Sequence, residues 1–238
     1  MLRLHYNLEK VSMGLVAAII AAASIGGIVE IAPLFTIDET VDVPKDLRPL
    51  TPLELAGREI YIREGCYACH SQMVRSLADE IDRYGPYSQA GESAYDHPML
   101  WGSKRTGPDL ARLGGKYSDA WHVAHLVNPR DVVPESIMPR YGWLARDRLR
   151  IDDLGDNLSA QRAVGVPYTD AMIANAVADA RGQANPDGPD AAGIAERYGA
   201  ATNLRVFDGD PDVLTEMDAL VAYLQTLGRL TQTASKKE

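Results

Sequence analysis

The sequence predicts a mainly α-helical protein: one N-terminal transmembrane helix, then a helical globular domain with an insertion. Three observations predict it. Val11 to Val29 contain no charged residue. Helix-start and helix-spacing patterns frame the remainder, at Thr51–Glu54 and at Pro211–Leu227. The hydrophobic share is 46%, carried by Ala, Leu and Val rather than by aromatics at 7%, which favours helix and suffices for a packed core. A formal net charge of −9 argues against a nucleic-acid partner and fits a soluble face that meets cationic proteins.

The elements follow in chain order. At about 1.5 Å per residue, the run from Val11 to Val29 gives roughly 28 Å of helix, close to the hydrocarbon thickness of a bilayer, within an anchor over residues 11–35. Arg3 and Lys10 precede it, whereas Asp38, Glu39, Asp42 and Asp46 follow, so the positive-inside rule leaves residues 1–10 in the cytoplasm. A cleaved signal peptide is the rival, since Ala21 to Ala23 supply small residues. The apolar run continues past them through Ile25, Ile28, Val29 and Ile31, which favours an uncleaved anchor. Glu30 is costly at that depth unless it reaches the interface or meets a partner, and the two readings are equally open.

Residues 36–50, with Pro44 and Pro49, read as an extended, semi-rigid spacer. The domain then covers residues 51–230. It opens on a capping box, Thr51-Pro52-Leu53-Glu54, with proline at the first helical position and a helix expected to about Glu64. Pro211 to Leu227 predicts the last helix, with Val213, Met217, Leu220, Val221, Leu224 and Leu227 at helical spacing. Between them, residues 144–210 form an insertion with an expected helix at Thr169–Arg181 and a turn-rich surface loop at Gly182–Gly193. Residues 231–238 read as a disordered tail.

Cys66-Tyr67-Ala68-Cys69-His70 is the motif that carries chemistry. Two cysteines three apart, followed at once by histidine, read as a c-type haem attachment site. One turn of backbone can present both thiols to the vinyl groups of one haem edge, and His70 then becomes the proximal iron ligand. A zinc half-site would need two further ligands and the chain has no other cysteine, which leaves a redox disulfide as the remaining alternative. Small c-type cytochrome domains cross their first and last helices closely. Gly57 and Tyr61 on the first helix, with Tyr223 on the last, suit such a crossing.

The sixth iron ligand is a thioether or a second imidazole, and a methionine raises the redox potential. Met73 is expected on the same helix as His70, hence on the proximal side. Met172 and Met217 fall in helical segments, where methionine fills cores. Met138, in the proline-bounded loop Pro134–Pro139, is preferred over Met99, in His97-Pro98-Met99. His122 and His125, spaced i,i+3 on a helix capped by Ser118 and ended by Pro129, read as packing or surface residues. A proximal imidazole also needs its other ring nitrogen fixed by an acceptor. The Gly107-Pro108 turn can aim a backbone carbonyl, so Pro108 is the candidate, with Leu110 packing on the haem edge. Arg105, Arg75 and Trp101 are candidate propionate or haem-edge contacts.

Three strings, together with the haem motif, are more specific than the motif alone: Tyr95-Asp96-His97-Pro98, Trp101-Gly102-Ser103-Lys104-Arg105-Thr106-Gly107-Pro108-Asp109-Leu110, and Asn128-Pro129-Arg130-Asp131-Val132-Val133-Pro134-Glu135-Ser136. With Cys66-Tyr67-Ala68-Cys69-His70-Ser71-Gln72-Met73 they closely resemble the membrane-anchored mono-haem O subunit of cbb3-type cytochrome c oxidases, from the chain's start to about Tyr141 and again at the last helix. The resemblance implies a cytochrome c-like domain with one covalent haem c on Cys66 and Cys69, and iron ligated by His70 and Met138. It implies a bacterial inner-membrane, single-pass protein with a periplasmic haem domain. Electrons would come from a di-haem cytochrome c subunit or a soluble cytochrome c and pass to haem b of a haem-copper catalytic subunit, where oxygen is reduced. It also implies a calcium ion between the two subunits, with Ser103 as candidate ligand. The alternative is the small cytochrome c subunit of a nitric oxide reductase-like enzyme; the Trp101-to-Leu110 string argues for the oxidase.

Overall fold

Every regular element among the described residues is helical, and the only β pairing there is an isolated bridge between Arg148 and Thr215. The computed structural model describes residues 2–35 and 42–230. The Asp38 and Glu39 used to orient the anchor, and the tail at residues 231–238, lie outside them. The chain divides into two units, Met1–Asp42 and Val43–Glu238.

The first unit holds α1 (Leu2–Lys10) and α2 (Ser12–Ile31), interrupted at Val11, where φ is −115° and ψ 89°. Helix α2 has 20 residues, about 30 Å at 1.5 Å per residue, and none of them is buried. It is long and apolar enough to cross a membrane. A short 3-10 turn, Ala32–Phe35, follows it at Pro33.

The second unit is built on α3 (Pro52–Arg63) and α10 (Glu216–Leu224). Both start at capping boxes: Thr51 with Glu54, and Thr215 with Asp218. The last helix is therefore shorter than its apolar spacing suggests. Its expected first turn is diverted into a chain of side-chain turns, where Asp210 N–H donates to Asp208 and Asp212 N–H to Asp210, and the helix waits for the Thr215 cap. The two helices cross at Gly57, where an added Cβ would stand 1.9 Å from the Ala219 carbonyl oxygen. Tyr61 and Tyr223 meet edge to face beside it, 5.7 Å between ring centroids, so all three residues expected at the crossing are there.

Next along the chain come α4 (Ala78–Tyr84) and α5 (Asp119–Val127), the latter capped by Ser118. Four helices follow: α6 (Leu154–Ala163), α7 (Asp170–Ala174), α8 (Ala176–Ala184) and α9 (Ile194–Tyr198). The single helix expected from Thr169 is two, because Asn175 turns the backbone to φ −100°, ψ 9° and spends its side-chain amide on the Ala171 carbonyl. The expected surface loop from Gly182 is partly helix and core instead. Gly182 lies against the Asp190–Ala191 backbone, where a Cβ would come within 2.4 Å, so the segment folds back on α8.

These helices buttress α3. Leu154, Leu158 and Ile194 are fully buried, and Gln183 of α8 donates to the buried Glu54 carboxylate at 3.1 Å. Arg48 pairs with the same carboxylate through two bonds, 2.7 and 2.9 Å. Leu47, Pro49 and Leu50, in the segment read as a spacer, are buried in this unit.

Candidate haem-binding site

The Cys66-to-His70 segment begins where α3 stops. Gly65, at φ 71°, takes the left-handed conformation that ends the helix, and a 3-10 turn over Cys66–Ala68 follows. Cys69 and His70 both donate backbone hydrogen bonds to the Cys66 carbonyl, 3.1 and 2.9 Å, so one tight turn carries both cysteines. Both thiols are free; Cys69 is exposed and Cys66 half-buried against the core. Burial, with Glu64 adding to it, pushes the Cys66 thiol up to about 12. That is the reverse of the lowered pKa that makes a redox-active thiolate.

No helix follows His70. The expectation that placed Met73 on His70's helix fails, because residues 70–75 are irregular and tied sideways to the Gly107–Leu110 segment. Gly107 N–H donates to the Cys69 carbonyl at 3.0 Å, and Leu110 N–H to the Ser71 carbonyl at 2.8 Å. Between these ties, His70 Nδ1 lies 2.8 Å from the Pro108 carbonyl oxygen. A carbonyl can only accept, so Nδ1 carries the proton and Nε2 keeps its lone pair. The ring rests on Gly107, where a Cβ would come within 2.2 Å of His70 Cε1. Here glycine is required for close approach, and the neighbouring proline stiffens the turn that presents the carbonyl.

Asp109 locks this arrangement and was not singled out from the sequence. Its buried carboxylate accepts from Ser71 Oγ at 2.6 Å, Met73 N–H at 2.8 Å and Ala111 N–H at 2.9 Å. Arg105 completes the lock. Its guanidinium donates to Ser71 Oγ and the Met73 carbonyl, and pairs with Glu80 through bonds of 2.7 and 2.9 Å. Arg75 also pairs with Glu80, at 2.8 Å, and Trp101 Nε1–H donates to Ser93. The three candidate propionate contacts are thus each bound within the protein. The legible signal was the Thr106–Leu110 string itself; which of its side chains turns inward depends on Ser71 and Glu80 arriving from elsewhere.

The candidate sixth ligand lies in the loop after α5. Arg130 Nε–H donates to the Ser136 carbonyl at 3.1 Å, Arg140 Nε–H to Asn128 at 3.0 Å, and Ser136 Oγ accepts from Met138 N–H at 3.2 Å. Tyr141 N–H returns the loop to α5 at the Leu126 carbonyl, 2.8 Å. Met138 is half-buried, its side chain against the same core as Cys66, Leu110 and Leu126. Burial, then the charges of Cys66 and Cys69, push up the Tyr141 phenol; burial, then His70, pushes down the His125 imidazole. Met99, by contrast, is exposed, in a segment whose His97 and Pro98 carbonyls are held by buried Arg58. Ser103 is exposed, and no group of three or more His, Cys, Asp or Glu able to hold a metal ion occurs among the described residues.

Two free thiols on one turn and an imidazole with Nδ1 fixed suit a haem attached by its edge. No curated protein matches the chain. The family model of the cytochrome c oxidase mono-haem subunit, FixO, matches residues 5–231. A match over nearly the whole length, on a helical domain with one candidate membrane span, identifies the chain as a member of the FixO family of mono-haem cytochrome c oxidase subunits.

Proposed function

We propose that this subunit is a membrane-anchored electron relay, its haem c attached through Cys66 and Cys69 and its iron held by His70 and Met138. The observation that carries the reading is the 2.8 Å contact between His70 Nδ1 and the Pro108 carbonyl beside the paired thiols. Hydrogen bonding at Nδ1 fixes the tautomer, orients the ring and makes Nε2 a stronger donor to iron. When bound, the haem supplies reversible one-electron chemistry. The protein's part is to fix the imidazole through Gly107, Pro108 and Asp109, to favour the reduced state through the Met138 thioether, and to leave an edge near exposed Cys69 for partners.

Helix α2 would hold the subunit against a haem-copper catalytic subunit in the bacterial inner membrane, N-terminus cytoplasmic and haem domain periplasmic. Electrons would enter from a di-haem cytochrome c subunit or a soluble cytochrome c and leave for haem b of that partner. No bond-making step is assigned to this chain; oxygen reduction belongs to the partner. Exposed Ser103 suits a calcium ion whose other ligands come from the neighbouring subunit.

The test uses the purified membrane complex. Cys69→Ser is expected to abolish fully covalent haem attachment to this subunit, and Met138→Leu to remove the methionine-to-iron charge-transfer band while the haem stays attached. An intact band in Met138→Leu would overturn the ligand assignment. A copper-free partner with nitric oxide reductase activity and no oxygen uptake would overturn the oxidase reading.

A further inference from the structure

His125 carries a buried polar nitrogen with no partner among the described residues. Its Nδ1 is sealed from solvent and makes no hydrogen bond among the described residues. Leaving such a group unpaired costs about 1–3 kcal/mol, so a partner absent from the chain itself is the simplest account. The ring is held by stacking: its centroid lies 4.7 Å from that of Trp121 with planes 10° apart, and Trp121 stacks in turn on Tyr117 at 4.0 Å and 14°. The helix that bears His125 also runs into the Met138 loop, whose exit is tied back at Leu126, the adjacent residue. His125 therefore stands on the helix that leads into the Met138 loop, one residue before the point where that loop is tied back.

The three candidate haem contacts read from the sequence are already engaged. Arg105 and Arg75 are paired with Glu80, and Trp101 Nε1–H is given to Ser93. Building on the haem reading above, we propose that His125 is a positioning residue of the haem pocket. Its Nδ1–H donates a hydrogen bond to an acceptor that comes with the haem, either the iron-bound thioether of Met138 or a haem carboxylate. Both can only accept, so the neutral ring carries its single proton on Nδ1. Either bond withdraws negative charge from the iron's surroundings and favours the reduced state.

His125→Phe keeps an aromatic ring on Trp121 and removes the donor. In the full membrane complex it is expected to make haem c reduction about threefold less favourable, roughly 30 mV lower at 59 mV per tenfold for one electron. His125→Gln, which offers an amide donor, is expected to recover at least half of that shift. If the thioether is the acceptor, His125→Phe also displaces the methionine-to-iron charge-transfer band. If a carboxylate is, the band stays and the carboxylate stretch moves in the redox difference infrared spectrum. The unmodified protein gives a readout independent of folding of the variants: a slowly exchanging His125 Nδ1–H resonance. A wild-type potential in His125→Phe, or a ring protonated only at Nε2, overturns the proposal. Absence of covalent haem from the unmodified subunit would instead defeat the haem reading, so the two failures are distinguishable.

Discussion

His122 and His125, three residues apart on α5, show how much a residue's chemistry depends on what surrounds it. His122 is buried, with Tyr117 and Trp121 edge-on at 6.1 and 5.4 Å, and burial lowers its pKa from 6.5 to about 4 despite the pull of Asp119. The unfolded chain binds a proton at higher pH than the folded one. The stabilisation is therefore complete above pH 6.5 and drains away as pH falls toward 4, on the order of 3 kcal/mol in all. Urea unfolding followed across that window is expected to show His122→Phe losing less stability on acidification than the unmodified protein; parallel curves would contradict this. Spacing alone placed both histidines among packing or surface residues. That holds for His122. Both also bury a ring nitrogen that has no partner among the described residues, His122 Nε2 and His125 Nδ1, which no local pattern reveals. Pro108 was legible because proximal imidazoles need an acceptor and a Gly-Pro turn can supply one, whereas Asp109 needed Ser71 and Arg105 to give it a role.

At the scale of elements, the helix starts were the most legible features. Thr51 and Glu54 make the capping box their spacing announces, since both partners lie within one turn. Helix ends and breaks depend on competition with neighbouring side chains: Asn175 splits one expected helix, and the Asp208–Asp212 turns shorten another. The α3–α10 crossing is the element-level feature with most leverage on the site. Its rings reach the haem segment, Tyr61 OH donating to the His70 carbonyl at 3.3 Å and Tyr223 OH to Gln72 at 3.1 Å. Gly57→Ala would force the helices apart at the Ala219 carbonyl and is expected to cost roughly 3 kcal/mol in chemical denaturation followed by haem absorbance. A loss well under 1 kcal/mol would show that the crossing relaxes freely.

Over the whole globular domain, the insertion at 144–210 is structural in the first instance. It adds a wall of apolar helices behind α3 and shares the buried Glu54 carboxylate with Arg48 and the Thr51 cap. One carboxylate thus joins the segment leading from the membrane, the first helix of the haem domain and the insertion. Breaking a buried pair by removing one partner leaves the other charge uncompensated, so Glu54→Ala is expected to destabilise the domain by about 3 kcal/mol. Limited proteolysis should then cut within residues 144–210 before the haem segment; cleavage unchanged from the unmodified protein would argue against the buttress.

The sequence by itself determined the anchor, the haem motif, the capped first helix and the proline-bounded Met138 loop. Each is written in residues close together along the chain, where hydropathy, helical period and ligand spacing act directly. Tertiary structure decided which side chains share a space. It brought the Pro108 carbonyl onto His70, 38 residues away, turned Arg105 inward to Glu80, made the insertion a second wall for α3, and left His125 Nδ1 buried without a partner among the described residues. Those outcomes depend on which chain segments share the core, and short-range spacing carries no record of that.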